Sequence, residues 1–457
     1  MPFTFVHLSD IHFGQEKRKG ELIVQDDVKA QLIADAAKMV KVHADEHACG
    51  IIVTGDIAYG GKRDEYVAAA HWLDRLAAAI GCEKTSVHVV PGNHDIDRDA
   101  ISSGCQLMIN DILEHGEKKL DAYLEAERDR EVLFERFINY RPFAEGYDCP
   151  LDSAGGYASD KSIEVGPGRT LRFIGLNSAL ICSSASASDE EGRLLLGERQ
   201  HVLPREPGVE LVVLGHHPLH WLRDSESARN FVRSRARVFV SGHEHNPSLN
   251  IEEINDGSHL LTLAAGATVP PNAGGGFTYT YNLLTFDWDE GSDGLSVKIY
   301  PRVWSTKDTM FENDPARLGT HQPECVLGCP NFRAAPKGEV TSSTNVEQSD
   351  ASDLVEETVD VVLSASGSIP MDPSEDRGVP DRFPLLLLRF FRDLSPAQRV
   401  SVLVGLNELP SSWTDSLTHT IERKVINGLA AKGRLDELEK AIDAIEKNHN
   451  ENGERDT

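Results

Sequence analysis

An α/β fold with a small separate helical domain near its C-terminal end is what this sequence predicts, and three observations predict it. Five short apolar runs of β type each end in Asp, Asn or His, usually beside a glycine. Amphipathic helical patterns separate the first three runs, the strand–helix–strand rhythm of βαβ units. A polar stretch from Arg333 to Asp381 is followed by an apolar, helix-patterned segment.

Phe3 to Leu8 reads as the first strand and ends in Ser9-Asp10-Ile11-His12. From Glu21 to Ala48, Leu22, Val28, Leu32, Ile33, Ala36 and Met39 recur at helical spacing, with Gly50 as the stop. Ile51-Ile52-Val53 then delivers Gly55-Asp56, and Asp64 to Ile80 is a second amphipathic helix closed by Gly81. Val87 to Val90 and a Pro-Gly turn lead into Gly92-Asn93-His94-Asp95. Ile101 to Tyr147 is a charged helical insertion, Leu171 to Leu176 another strand, and Ser183 to Ser188 a small, polar, mobile loop. Leu211 to Leu214 ends in Gly215-His216-His217-Pro218, and Val238 to Val240 in Gly242-His243-Glu244-His245. His259 to Ala265, Thr278 to Trp288 and Leu295 to Tyr300 are expected to complete a second sheet, with a Pro/Gly-rich loop, Pro270 to Gly276, near the strand ends that carry the motifs.

In open α/β sheets ligands bind at the carboxyl ends of strands, where these motifs sit. Carboxylate, amide oxygen and imidazole without thiolate suit Mn, Fe, Zn or Co. Seven such ligands are too many for one ion and fit two ions sharing a bridging carboxylate, the arrangement of phosphoester hydrolysis.

The order Asp-x-His, Gly-Asp, Gly-Asn-His-Asp, His, Gly-His-x-His resembles that of the calcineurin-like metallophosphoesterases over roughly residues 1–305. The resemblance implies that Asp10, His12 and His245 hold one metal, that Asn93, His216 and His243 hold the other, and that Asp56 bridges them. It implies His94 as general acid or phosphate contact, oriented by Asp95, and hydrolysis by hydroxide generated at the two ions. It also implies a two-sheet α/β/β/α sandwich, with the insertion at about 100–147 as a cap over the site. His216 is preferred to His217 because the family pattern is His-x-Pro and adjacent strand residues face opposite ways; His243 and His245, two apart, project together if extended. Gly55-Asp56-Ile57-Ala58-Tyr59 has the Gly-Asp-x-x-Tyr spacing of purple acid phosphatases, but His12 stands where those enzymes have Gly, so Tyr59 reads as packing or as support for the metal ligands rather than as a ligand. The Ser/Thr protein phosphatase pattern is missing. The cyclic-nucleotide-phosphodiesterase-like branch fits Asp-x-His and Gly-His-x-His.

A net charge of −27 over 457 residues disfavours broad binding to nucleic acid or anionic membrane, although it leaves room for a local basic groove. Seven scattered cysteines make no disulfide framework, and Cys325 with Cys329 lacks the second pair of a zinc knuckle. No apolar stretch nears the ~18 residues of a membrane span, and the N-terminus lacks a basic region followed by an apolar core; the cytoplasm is the expected compartment.

Arg333 to Asp381 reads as an acidic disordered linker within an extension at 306–381, with at most an isolated strand at Val359 to Leu363. Phe383 to Asn448 reads as a helical domain at 382–448, followed by a tail at 449–457. Leu435, Leu438, Ile442 and Ile445 form one face, Asp436–Lys440 and Asp443–Lys447 supply i,i+4 pairs, and Ser395-Pro396 is an N-cap with Pro at the first helical position. The domain faintly resembles the helical adaptor modules of bacterial effector enzymes, which implies a protein partner. The whole reads as a metal-dependent phosphodiesterase of small molecules, with a DNA-repair-type nuclease or a phosphomonoesterase as alternatives.

Overall fold

The computed structural model describes residues 2–16, 22–183, 190–254, 257–270, 277–319, 321–334, 382–410, 412–413 and 417–453. The described strands are β1 (Phe3–Leu8), β2 (Gly50–Val53), β3 (Val87–Val89), β4 (Ser159–Gly166), β5 (Arg169–Gly175), β6 (Val209–Leu214), β7 (Ala236–Ser241), β8 (Ser248–Glu253), β9 (His259–Ala264), β10 (Thr280–Asp289), β11 (Gly294–Ser305), β12 (Met310–Asn313) and β13 (Glu324–Leu327). The helices are α1 (Leu22–His43), α2 (Arg63–Ile80), α3 (Ser103–His115), α4 (Glu117–Glu125), α5 (Glu127–Phe134), α6 (Tyr140–Gly146), α7 (Glu198–His201), α8 (Ser225–Arg235), α9 (Pro330–Arg333), α10 (Arg382–Leu387), α11 (Pro396–Gly405), α12 (His419–Ala431) and α13 (Leu435–Gly453).

The period-2 alternation of the strands builds a two-sheet α/β sandwich. One sheet runs β12-β11-β10-β1-β2-β3 with β13 beside β11, the other β4-β5-β6-β7-β9-β8. Phe5, Ile52 and Phe286 of the first sheet meet Phe173, Val212 and Val238 of the second in one shared core. Their neighbours Val6, Ile51 and Val53 turn the other way and pack with Leu32, Leu73 and Leu76 of α1 and α2. Gly81 closes α2 in the left-handed conformation and donates its N–H to Ala77 O.

Two expectations need correction. Only β9 of the three late runs joins the second sheet; β10 pairs antiparallel with β1 and brings β11 into the first. Alternation tells which face of a strand is buried and is silent on which edge it joins. The fold also continues past residue 305, because β12 and β13 both pair with β11. The expected loops at 183–188 and 270–276, the linker and the strand at Val359 to Leu363 lie wholly or almost wholly outside the described residues.

The insertion α3–α6 packs beside α2 and behind the segment that follows His94. Asp97 N–H donates to Arg136 O at 2.8 Å, and Asn139 Nδ2 donates to Gly61 O at 2.9 Å and to Asp97 Oδ2 at 3.0 Å. Among the described residues it makes no hydrogen bond or ion pair with a predicted site residue; these contacts fix the turns that follow Asp56 and His94.

The C-terminal helices have a core of their own, with Phe390, Phe391, Leu403, Ile426, Leu438 and Ile442 buried. Ser395 caps α11 as expected, in a reciprocal box with Gln398. The acids of α13 pair with arginines of the first helical segment and not with the lysines predicted: Arg389 reaches Asp443 and Glu446, both at 2.6 Å. Nor is this domain merely tethered. Arg392 donates to Asp74 at 2.7 and 3.1 Å and to the Tyr147 hydroxyl at 3.0 Å, and Arg423 reaches Asp148 at 2.7 Å. Arg392→Ala is expected to weaken this docking by about 1.5–3 kcal/mol, the range for hydrogen bonds to charged groups. The C-terminal helices should then melt in a separate, earlier calorimetric transition; an unchanged single transition would contradict the assignment.

Candidate metal centre

All five motif-bearing strand ends open at one edge of the sandwich: β1, β2 and β3 are parallel neighbours in one sheet, β6 and β7 in the other. Backbone bonds join the turns. Asp10 N–H donates to Gly55 O at 3.0 Å, Gly242 N–H to His216 O at 2.8 Å and Val269 N–H to Asp10 O at 2.9 Å. Glycine is needed where the turns crowd: a Cβ on Gly92 would collide with the Asp56 carboxylate, and one on Gly242 with Ser9.

Asp10, His12, Asp56, His243 and His245 have φ of 53, 54, 53, 69 and 57°, five of the eleven non-glycine residues with positive φ among those described. Such backbone costs of order 1–3 kcal/mol per residue and clusters at functional sites. It also revises the expectation for His243 and His245. Their segment is not extended, yet both rings reach the site.

Asp56 is the hub. Its Oδ2 lies 3.2 Å from His12 Nε2 and 3.4 Å from His216 Nε2, and its Oδ1 accepts the His94 N–H at 2.8 Å. On one side His245 Nε2 stands 3.2 Å from Asp10 Oδ1; on the other, His216 Nε2 is 3.2 Å from Asn93 Oδ1 and 3.3 Å from His243 Nδ1. Backbone carbonyls fix two of the rings through their other nitrogen: Val269 O holds His12 Nδ1 at 3.1 Å and Thr54 O holds His216 Nδ1 at 2.8 Å, the outer support that metal-ligating imidazoles require.

His94 and Asp95 part company. His94 Nδ1 bonds the Tyr59 carbonyl at 2.7 Å, and its ring stacks on Tyr59 at 5.1 Å. Asp95, expected to orient His94, instead accepts N–H groups of Ile57, Ala58 and Gly92 at 3.2, 3.0 and 2.9 Å and the Tyr66 hydroxyl at 3.0 Å. It ties the Asn93–His94 turn to the turn after Asp56. Burial and the charge of Asp56 push its carboxyl up to about 6. His217 was set aside by sequence reasoning but lies with His216 and His243, its ring 4.4 Å from that of His243 and its Nδ1 2.9 Å from Ser178 Oγ. Trp221, also missed, meets the His243 ring edge-on at 4.2 Å. The Gly-His-His-Pro string was the available signal for His217; none existed for Trp221.

The donor set fits divalent cations. Burial disfavours ionised Asp10, but the hydrogen bond from His245 and the charge of His216 outweigh it and hold Asp10 down at about 2. His216 is correspondingly lifted to about 9, with burial opposing and Asp56 prevailing, and His12 is raised by the Asp56 hydrogen bond against burial. Protons therefore sit on imidazoles between two buried carboxylates, where cations would sit. Cation binding must displace them. Because His216 is raised, it is protonated below about 9 in the cation-free protein. Apparent metal affinity should therefore climb with pH from neutrality toward about 9, with protons released on binding at pH 7. Calorimetry in buffers of different ionisation enthalpy measures this; buffer-independent heats would contradict it.

The sequence model of the calcineurin-like phosphoesterase family matches residues 3–247, more than half of the chain. The chain belongs to this family. The chain also carries, at residues 382–444, a match to the GTPase-associated adaptor domain. It is 25% identical over 331 residues to an uncharacterized metallophosphoesterase-like protein, YydB, of Bacillus subtilis (strain 168); the alignment covers 67% of this chain and 60% of that relative, less than two thirds of its length. Among solved structures it is similar to purple acid phosphatase PPD1 of yellow lupin (12% identity, TM-score 0.36, 75% of this chain and 57% of that one) and to 5'-nucleotidase of Candida albicans (11%, 0.29, 67% and 52%). No described helix is long and apolar enough to cross a membrane.

Proposed function

We propose that this phosphoesterase hydrolyses phosphodiesters at a two-metal centre. Asp10, His12 and His245 would hold one ion, Asn93, His216 and His243 the other, and Asp56 would serve both. The observation that carries this reading is the Asp56 carboxylate, with one oxygen 3.2 Å from His12 and 3.4 Å from His216. When bound, the ions would activate water at neutral pH and neutralise charge on the phosphoryl oxygens. Manganese, iron, zinc or cobalt suit these donors.

The chain's own residues do the rest. His94 commits Nδ1–H to the Tyr59 carbonyl, so only its imidazolium form presents an N–H at Nε2 to a leaving oxygen. Burial keeps His94 below its ordinary pKa while Asp56 opposes this; an anionic phosphoryl group would add to the opposing side. The partly exposed side chains at the site include three imidazoles, His94, His243 and His245, and one guanidinium, Arg98, which donates to the Asn93 carbonyl at 3.3 Å. A single fixed cation suits the one charge of a diester better than the dianion of a monoester. The net charge of −27 favours a small diester over a polynucleotide. The adaptor-domain match supports a protein partner for the C-terminal helices, with a GTPase as the class its name suggests.

Metal-stripped protein given manganese should hydrolyse an aryl phosphodiester faster than the matching monoester, with Asp56→Asn as the blank. Preference for the monoester would overturn the diesterase reading.

A further inference from the structure

A second group of metal-binding side chains lies outside this centre, where the insertion meets the rest of the fold. Glu117 opens α4, His201 closes α7 and Asp224 precedes α8. Their donor atoms all lie within 4.8 Å of one another. His201 is 1% exposed and its ring stacks on Phe231 at 5.3 Å. Its Nδ1 points at Asp224 Oδ2 from 3.4 Å and makes no hydrogen bond among the described residues; the same holds for buried Glu117 Oε1. The Asp224 carboxylate is fixed by N–H groups of Leu196 at 3.2 Å and Gly197 at 2.9 Å. No lysine or arginine pairs with either carboxylate among the described residues.

Two carboxylates turned toward one another repel unless a proton or a cation lies between them. One imidazole and two carboxylates are a donor set for a borderline divalent ion. Bond lengths of about 2.0–2.1 Å on a tetrahedral zinc put donors roughly 3.3–3.5 Å apart, and His201 and Asp224 already stand at 3.4 Å. Orphaned Glu117 Oε1 comes from a different element, so an ion here would join α4 to α7 and α8. Arg199 makes the same joint from the surface, reaching Asp121 at 3.2 Å and also Glu125.

We propose that Glu117, His201 and Asp224 form a separate binding site for one divalent cation of the zinc or manganese type, which fastens the helical insertion to the phosphoesterase core. The test is metal content of the full chain, stripped, reloaded with zinc and freed of excess ions. Wild type should carry one ion per chain more than Glu117→Gln or His201→Ala, and the same difference of one should persist in an Asp56→Asn background. Chelation should expose the α4 region of wild type to limited proteolysis, while Glu117→Gln should be cut there with or without chelator. Should His201→Ala fail to fold, Glu117→Gln carries the test from a partly exposed helix start. Equal metal content in wild type and Glu117→Gln would overturn the proposal, as would cleavage at α4 that ignores the chelator in wild type.

Discussion

Asp56→Asn is expected to abolish turnover and to weaken binding of both ions at once. The substitution keeps the side chain's volume, so the loss reads the charge. Its Oδ2 is the atom shared by the His12 and His216 halves of the centre. Its Oδ1 also holds the His94 N–H, a bond the variant can keep through its amide oxygen. An ion in such a site is worth several kcal/mol of transition-state stabilisation, and each 1.36 kcal/mol is a factor of ten, so activity should fall by about a thousandfold or more. A variant that keeps both ions and near wild-type rate would show that Asp56 does not serve both.

His94→Ala should behave differently: metals retained, rate lost. The ring is held by the Tyr59 carbonyl beside His12 and Asp56 and is only partly buried. General acid catalysis contributes typically 10²–10⁴-fold, and that loss should appear with alkyl esters, whose leaving oxygen needs a proton. With a nitrophenyl ester, which leaves unaided, the loss should be much smaller. Equal losses on both esters would make His94 a phosphate contact, and departure of the metals would make it a ligand.

The motif strands and the candidate ligands at their ends were legible because each pairs a strong β pattern with a chemically distinctive end. Asp10, His12, Asp56, Asn93, His216, His243 and His245 do converge. What the sequence hid follows from what patterns omit. Strand β4 is an edge strand, Ser-Asp-Lys-Ser-Ile-Glu-Val-Gly, with only Ser159 and Val165 buried, so it offers too few apolar residues to stand out as a strand. The membership of β10 and β11 depends on a free edge of β1 that no local pattern records. The family resemblance implied Asp95 as the partner of His94, but the turn directs it to backbone N–H groups of the neighbouring motif. His216 is preferred to His217 on the family's His-x-Pro pattern and on strand alternation, and the second rule lapses once β6 has ended at Leu214. The docking of the C-terminal helices rests on Arg392 and Asp74, more than 300 residues apart, beyond the reach of any spacing argument.

The most direct test is anomalous diffraction from crystals of the full chain equilibrated with manganese. Two anomalous peaks should appear at the ends of β1, β2, β3, β6 and β7, one on each side of the Asp56 carboxylate. A single peak there, or none in a crystal of protein that hydrolyses the diester, would contradict a two-metal centre bridged by Asp56.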